Sequence, residues 1–161
     1  QLPEEFNIAA ALLDRHLAAG RGAAPALLGP GGPFTYEQLY HFTNQVANAF
    51  LSLGVQRENR VLLLLRDSPE FVACFLAALK IGAIPVPVNT AAHDDDYEHY
   101  LRLTGPRLVV GDADFLPARQ LSLKTLQLGN VAIVHTHESS GTKLSPIFEN
   151  TLTKGITMPV G

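Results

Sequence analysis

The sequence predicts an α/β fold: a layered, largely parallel sheet with flanking helices. Three observations carry this expectation. Short apolar runs of strand length alternate along the chain with segments of helical period. Residues 60–65 read as one strand, apolar without alternation from Val61 to Leu65, as in a strand covered on both faces. Hydroxyl caps and glycines punctuate the chain between these runs, where crossover helices would begin and end. Strand and helix alternating in this way give parallel strands joined by right-handed crossovers.

Each element has its own local reason. Ile8, Ala11, Leu12 and Leu17 recur at helical spacing, and Gly20 follows as a stop. Residues 24–29 read as a short apolar strand, and Gly29-Pro30-Gly31-Gly32-Pro33 after it reads as a turn. Thr35 with Gln38 forms a capping box for a helix that runs to about Leu53, with Leu39, Phe42, Val46, Ala49 and Leu53 inward and Gly54 as its stop. Ser68-Pro69-Glu70 opens the next helix with a hydroxyl cap, a proline in the first turn and an acid near the positive dipole end. Phe71, Cys74, Phe75, Ala78 and Leu79 give that helix its apolar face, and Gly82 closes it. Residues 84–88 alternate with prolines, which places that strand near a sheet edge or end. Residues 94–103 make a short helix entered through three acids, residues 108–111 a strand, and residues 131–134 one more strand. The expected core is Leu12, Leu39, Phe42, Val46, Leu62, Leu64, Phe71, Phe75, Leu79, Ile84, Val86, Val109 and Val110.

Composition narrows the function classes. Hydrophobic residues make up 47% and charged residues 17% of the 161, enough to bury a core and too few charges for a disordered tail. Twelve basic against 15 acidic residues give a net charge of −3 without a basic run, which argues against nucleic acid or an anionic membrane as partner. The single cysteine, Cys74, excludes an internal disulfide framework and a four-cysteine zinc site. No apolar run approaches the roughly 20 residues of a membrane span. The opening Gln-Leu-Pro-Glu-Glu lacks a signal peptide's basic start, so the expected location is cytoplasmic. Near Gln120 the composition shifts. Residues 1–118 carry the α/β pattern, whereas residues 119–161 alternate weakly and end in Ser, Thr, Gly and Pro with isolated apolar residues.

Four groups of residues could carry chemistry. His135 and His137 are two apart after an apolar run, so on a strand both imidazoles share a face and could reach one substrate or metal. A third metal ligand could come from His93, Asp94, Asp96 or His99, but no spacing ties these to the pair, and an acidic triplet opening a helix reads as a solvated cap; no metal site is assigned. Ser139, Ser140, Gly141, Thr142 and Lys143 have the composition of a phosphate loop without the Walker spacing, which leaves an ordinary polar turn as the alternative. Asp67 and Ser68 lack the G-x-S-x-G elbow of a serine hydrolase, and Cys74 falls on an apolar helix face.

The residues also carry a family resemblance over about three quarters of the chain. Its elements are Glu5-Phe6-Asn7, Phe34-Thr35-Tyr36-Glu37-Gln38-Leu39, Asp67-Ser68-Pro69-Glu70-Phe71, and above all Gly82-Ala83-Ile84-Pro85-Val86-Pro87-Val88-Asn89-Thr90 followed by Asp95-Asp96-Tyr97. This pattern resembles the N-terminal part of the adenylate-forming superfamily, the acyl- and aryl-CoA synthetases, and most closely the benzoate-CoA ligase group. The resemblance implies activation of a carboxylate with ATP and Mg²⁺ to an acyl-adenylate and pyrophosphate, then transfer of the acyl group to coenzyme A. It implies that residues 1–118 are the N-terminal subdomain of the AMP-binding region, that His135 and His137 lie by the acyl pocket, and that Ser139–Lys143 corresponds to part of the phosphate loop.

The sequence departs from the family's pattern after residue 120. The family's phosphate loop, approximately Y-S-S-G-S-T-G-K-P-K-G, precedes V-V-H-T-H; here Val134-His135-Thr136-His137 comes first and Ser139–Lys143 follows, shortened. Asn150-Thr151-Leu152, Gly155 and Met158-Pro159-Val160-Gly161 are similar to a later family region with altered spacing, and the ribose-binding Asp and catalytic Lys motifs are absent. The expectation is therefore a truncated or discontinuous piece of an aryl-CoA ligase, inactive alone, whose partners are a small carboxylic acid, ATP, CoA and the rest of a parent chain. The alternative is a non-catalytic α/β interaction module derived from such an enzyme. A metal-dependent hydrolase built on His135 and His137 is a third reading.

Overall fold

A computed structural model describes residues 6–29, 31–112 and 132–136. The chain enters through Asn7, whose Oδ1 accepts the Ala10 N–H at 3.2 Å and starts the first helical segment. A wide turn, Ala10–Asp14, in which the Arg15 N–H reaches back to the Ala10 carbonyl, leads into α1, Arg15–Ala18. Gly20, with φ +71°, stops α1: the Gly20 and Arg21 N–H groups donate to the Leu17 and His16 carbonyls, each at 2.9 Å. Strands β1, Pro25–Gly29, and β2, Gly32–Thr35, then form an antiparallel hairpin that pairs Leu27 with Phe34 and Gly29 with Gly32. The turn signal hides β2 in the sequence, because Gly32-Pro33 belongs to the strand itself.

Thr35 caps α2, Tyr36–Ser52, with the expected reciprocal pair: Gln38 N–H donates to Thr35 Oγ1 at 3.2 Å and Thr35 N–H to Gln38 Oε1 at 2.8 Å. At the far end Gly54 takes φ +80°, where a side chain would be strained, and a Cβ there would lie 2.6 Å from the Arg107 guanidinium. Arg107 uses that room to donate to the last carbonyls, Leu53 at 3.0 Å and Gly54 at 3.2 Å.

The main sheet follows. β3, Arg60–Leu64, lies between β4, Ile84–Pro87, and β5, Leu108–Asp112; β6, Ala132–Thr136, continues beyond β5, giving the order β4-β3-β5-β6 with every pairing parallel. Helix α3, Pro69–Lys80, connects β3 to β4, and α4, Asp94–Thr104, connects β4 to β5. The alternation of side chains divides the core into two layers. Val61, Leu63, Leu65, Leu108 and Val110 pack with α2, α3 and the first helical segment, while Leu62, Leu64 and Val109 pack with Tyr97 and Leu101 of α4. Among the described residues β4 ends the sheet on its side. Its Ile84 and the following Val88 donate to Asn59 and Leu63 carbonyls of the β3 segment, so the outward amide positions fall on Pro85 and Pro87, which have no N–H to offer another strand.

Most of the expected core is found in place. Leu39, Val46, Leu62, Leu64, Val109 and Val110 are buried, and Phe42, Phe71, Phe75 and Leu79 pack half-buried against the first layer. Two expectations fail. Ile84 is 44% exposed because it opens the edge strand, and Leu12 is 47% exposed because the first helical segment turns Ala9 and Leu13 inward instead. That rotation has a visible cause. Asn7 Nδ2 donates to the Lys80 carbonyl at 3.0 Å, and Asp14 accepts from Lys80 Nζ at 3.3 Å, fastening one face of the segment to the end of α3. Ile8 and Leu12 are left on the outer side.

These placements predict opposite outcomes for two leucines. Leu64→Ala removes a side chain 2% exposed and should cost about 2–5 kcal/mol, read from the urea midpoint. Leu12→Ala should stay within about 0.5 kcal/mol of the parent chain. A costly Leu12→Ala beside a neutral Leu64→Ala would reverse the layer assignment.

His16 gives a pH dependence. Its ring stacks on Tyr36 with centroids 4.1 Å apart, and its Nδ1 is shut off from solvent without a hydrogen-bond partner among the described residues. Desolvation, then the charges of Arg21 and Arg15, lower its pKa below the ordinary 6.5. The unfolded chain therefore binds a proton more readily, and His16 subtracts stability as pH falls below about 6.5. His16→Phe, which keeps a stacking ring and cannot titrate, should lose less stability than the wild type between pH 7.5 and 5.5; equal losses would contradict the linkage.

Candidate functional site

Parallel strands bring their carboxyl ends to one edge, and in open α/β sheets ligands bind outside that edge where the chain reverses its direction across the sheet. Here the reversal lies between β3 and β5. From β3 the chain steps outward to β4, then returns across β3 to β5 and onward to β6. Four segments meet the edge: residues 65–68 after β3, residues 88–90 after β4, the end of β5, and the end of β6. Register fixes their relation. Leu64 pairs with Gly111, Gly111 with His135, and Asp112 with Thr136, so the backbones of three strands line up in one row.

Polar side chains organise this edge. Asp112 Oδ2 accepts the Arg66 backbone N–H at 3.1 Å and lies 3.4 Å from the Arg66 guanidinium, closing the step between β3 and β5. Ser68 Oγ accepts the Phe71 N–H at 3.2 Å, so it serves as the cap of α3 rather than as a nucleophile. Asn89 folds the chain after β4: its Oδ1 accepts the Ala91 N–H at 2.9 Å and its carbonyl accepts the Tyr97 hydroxyl at 2.5 Å.

Of the residues singled out in the sequence, His135 stands on β6 at the carboxyl edge, in register with Gly111. His137, Ser139, Ser140, Gly141, Thr142 and Lys143 lie outside the described residues, as do the segments around Leu121–Leu128 and Met158. His93 and Asp96 are engaged in starting α4, where the His93 N–H donates to Asp96 Oδ2 at 3.1 Å; His99 lies on the same helix with its ring near Tyr100. Among the described residues no three histidine, cysteine or acidic side chains gather in a metal-holding group. Cys74 is buried in the first layer, and burial followed by the Glu70 carboxylate pushes its thiol far up from its ordinary value, which removes it as a nucleophile. The Arg66–Asp112 contact has no local signal in the sequence. Its trace is a pair of charges at the exits of two apolar strands, Leu64-Leu65-Arg66 and Val110-Gly111-Asp112, 46 residues apart.

Comparison with known proteins agrees with this architecture. The family model described as AMP-binding enzyme matches residues 14–153. A benzoate–CoA ligase of Thauera aromatica is 35% identical over 118 residues, 73% of this chain and 22% of the relative. A 4-hydroxybenzoate–CoA/benzoate–CoA ligase of Rhodopseudomonas palustris is 34% identical over 70% of this chain and 21% of the relative. The crystal structure of a benzoate CoA ligase from Burkholderia xenovorans LB400 superposes with TM-score 0.78 at 27% identity, covering 93% of this chain and 29% of that one. The chain thus spans about a fifth of the length of these curated relatives. With the sheet, the carboxyl-edge turns and most of its length matched, the chain belongs to the family of AMP-binding enzymes.

Proposed function

We propose that this chain is the N-terminal portion of an ATP-dependent aryl carboxylate–CoA ligase, acting on benzoate or a related aromatic acid. The observation that carries the reading is the 35% identity to a benzoate–CoA ligase over 73% of the chain, on a fold whose β6 brings His135 to the carboxyl edge. In the reaction the substrate carboxylate attacks the α-phosphorus of ATP and pyrophosphate leaves. The thiol of coenzyme A then attacks the acyl-adenylate carbonyl and AMP leaves. Residues 1–118 supply the framework and residues 119–161 the first active-site elements, with the remaining machinery in the rest of the parent chain. The parent is placed in the cytoplasm, where a buried free thiol such as Cys74 remains reduced; no helix among the described residues is long and apolar enough to cross a membrane.

Electrostatics at the edge support assigning the phosphates to Ser139, Ser140, Gly141, Thr142 and Lys143. The two crossover helices that begin here present negative first turns: α3 carries Glu70 with Ser68 already capping Phe71, and α4 opens on three consecutive aspartates. Both therefore repel the anion that a helix N-terminus otherwise attracts. Residues 139–143, small residues with hydroxyls and one lysine that follow β6 in the sequence, have the opposite character. Magnesium fits the described residues less well, since no cluster of carboxylates converges there. The ion is expected to travel mainly on the nucleotide's own phosphates, and no step is assigned to it.

We assign His135 to the wall of the acyl pocket and His137 to the loop that follows. In the full-length parent, His135→Ala should lower kcat/KM for the carboxylate roughly 10- to 100-fold through lost positioning. His41→Ala, on the exposed face of α2, should leave it within about twofold. Equal, negligible effects would remove His135 from the pocket. Residues 1–161 alone should show no ATP–pyrophosphate exchange above background, because charge stabilisation at the phosphorus usually dominates such rates and its donors are incomplete. Benzoate-dependent exchange by the parent supports the ligase reading; a parent that binds partners but never exchanges pyrophosphate favours the interaction module.

A further inference from the structure

The β3–β5 ladder ends at the pair Leu64–Gly111, one residue short of the carboxyl edge. Beyond it the next contact between the strand exits is made by a side chain. Asp112 Oδ2 receives both the Arg66 backbone N–H, at 3.1 Å, and the Arg66 guanidinium, at 3.4 Å. The carboxylate is well shielded, at 16% exposure, while the arginine is 50% exposed. A charge-assisted bond to a shielded carboxylate is stronger than the amide bond it replaces. On the other side, Asp112 continues the β5–β6 ladder through its register with Thr136, directly after Gly111 with His135. One residue thus joins β3 by its side chain and β6 by its backbone.

We propose that Asp112 is a positioning residue for the active-site end of β6: its carboxylate anchors the last residue of β5 to Arg66, and through β5 it sets where His135 and Thr136 stand relative to the 66–68 turn. It touches no reacting atom. The catalytic consequence rests on the ligase reading above, whereas the structural consequence does not. Substitution separates the two functions of the side chain. Asp112→Asn keeps an oxygen that can accept the Arg66 N–H and gives up the charge; Asp112→Ala gives up both.

The test uses the full-length parent with two readouts. By amide hydrogen exchange, Asp112→Ala should speed exchange at residues 132–136 by about fivefold or more, the loss of roughly one hydrogen bond, and Asp112→Asn should restore most of the protection. By kinetics, Asp112→Ala should lower kcat/KM for the carboxylate roughly tenfold, with Asp112→Asn recovering most of it. In a His135→Ala background the Asp112→Ala loss should largely disappear, because both act through one position. A merely structural loss would add in full to His135→Ala, and that result overturns the proposal. Unchanged exchange at residues 132–136 overturns it too, whatever the activity. Should the wild-type parent catalyse no exchange while Asp112→Ala still loosens β6, the ligase reading fails and the anchoring of β6 stands.

Discussion

The structure depends on burying β3 on both faces and both edges at once. Val61 to Leu64 are each no more than 2% exposed, and the strand pairs with β4 on one side and β5 on the other. Such a strand satisfies its backbone only through its neighbours, and a broken ladder would leave polar groups without water. The helices on the two sides are thereby obligatory. α2 and α3 cover the face of Val61 and Leu63, and α4 covers that of Leu62 and Leu64. Small residues let the first layer close tightly: Ala73, Ala77 and Ala78 of α3 and Ala49 of α2 are buried to 2% or less. The N-terminal segment adds Ala9 and Leu13 to this layer and is held there from outside by Asn7 and the Asp14–Lys80 pair.

The carboxyl edge follows from the same constraint. A strand hemmed in on four sides can deliver its chain only at its ends, so the turns that change direction gather where β3, β4 and β5 stop. Their polar groups are largely committed to holding the turns. Ser68 caps α3, Asn89 braces the chain before α4, and Asp112 bridges two strand exits. An edge with its hydroxyls and acids engaged in this way frames a pocket more readily than it performs chemistry. That is consistent with the proposal that His135, on β6, contributes to the pocket wall.

How much of this is legible in the sequence depends on the distance over which each feature is decided. The caps at Thr35 and Ser68 involve residues three apart, and both are readable with their partners. The buried part of β3, from Val61 to Leu64, is readable because an unbroken apolar run of that length suits a strand covered on both faces. Leu12 cannot be placed from its neighbours, because the phase of a short helix is set by contacts some seventy residues away, Asn7 to Lys80 and Asp14 to Lys80. β2 hides for a different reason: proline and glycine mark turns statistically, while a hairpin strand tolerates both. The Arg66–Asp112 contact spans 46 residues and has no periodic signature. His135 stands out through its family resemblance; its place beside Gly111 comes only from the sheet register.

Register also shows why the order of segments after β5 matters physically. In a parallel sheet a strand can join β5 only after a crossover long enough to return the chain to the opposite end. Residues 113–131 span that return, so β6 begins at the amino edge and ends at the carboxyl edge. Thr136 therefore stands at the carboxyl edge, next to the turns of β3 and β5. A phosphate loop placed before such a strand would open at the opposite edge unless it belonged to another layer of the fold. β6 thus delivers its chain at the same edge as β3 and β5, which is the geometric reason for proposing that phosphates are bound after this strand and not before it.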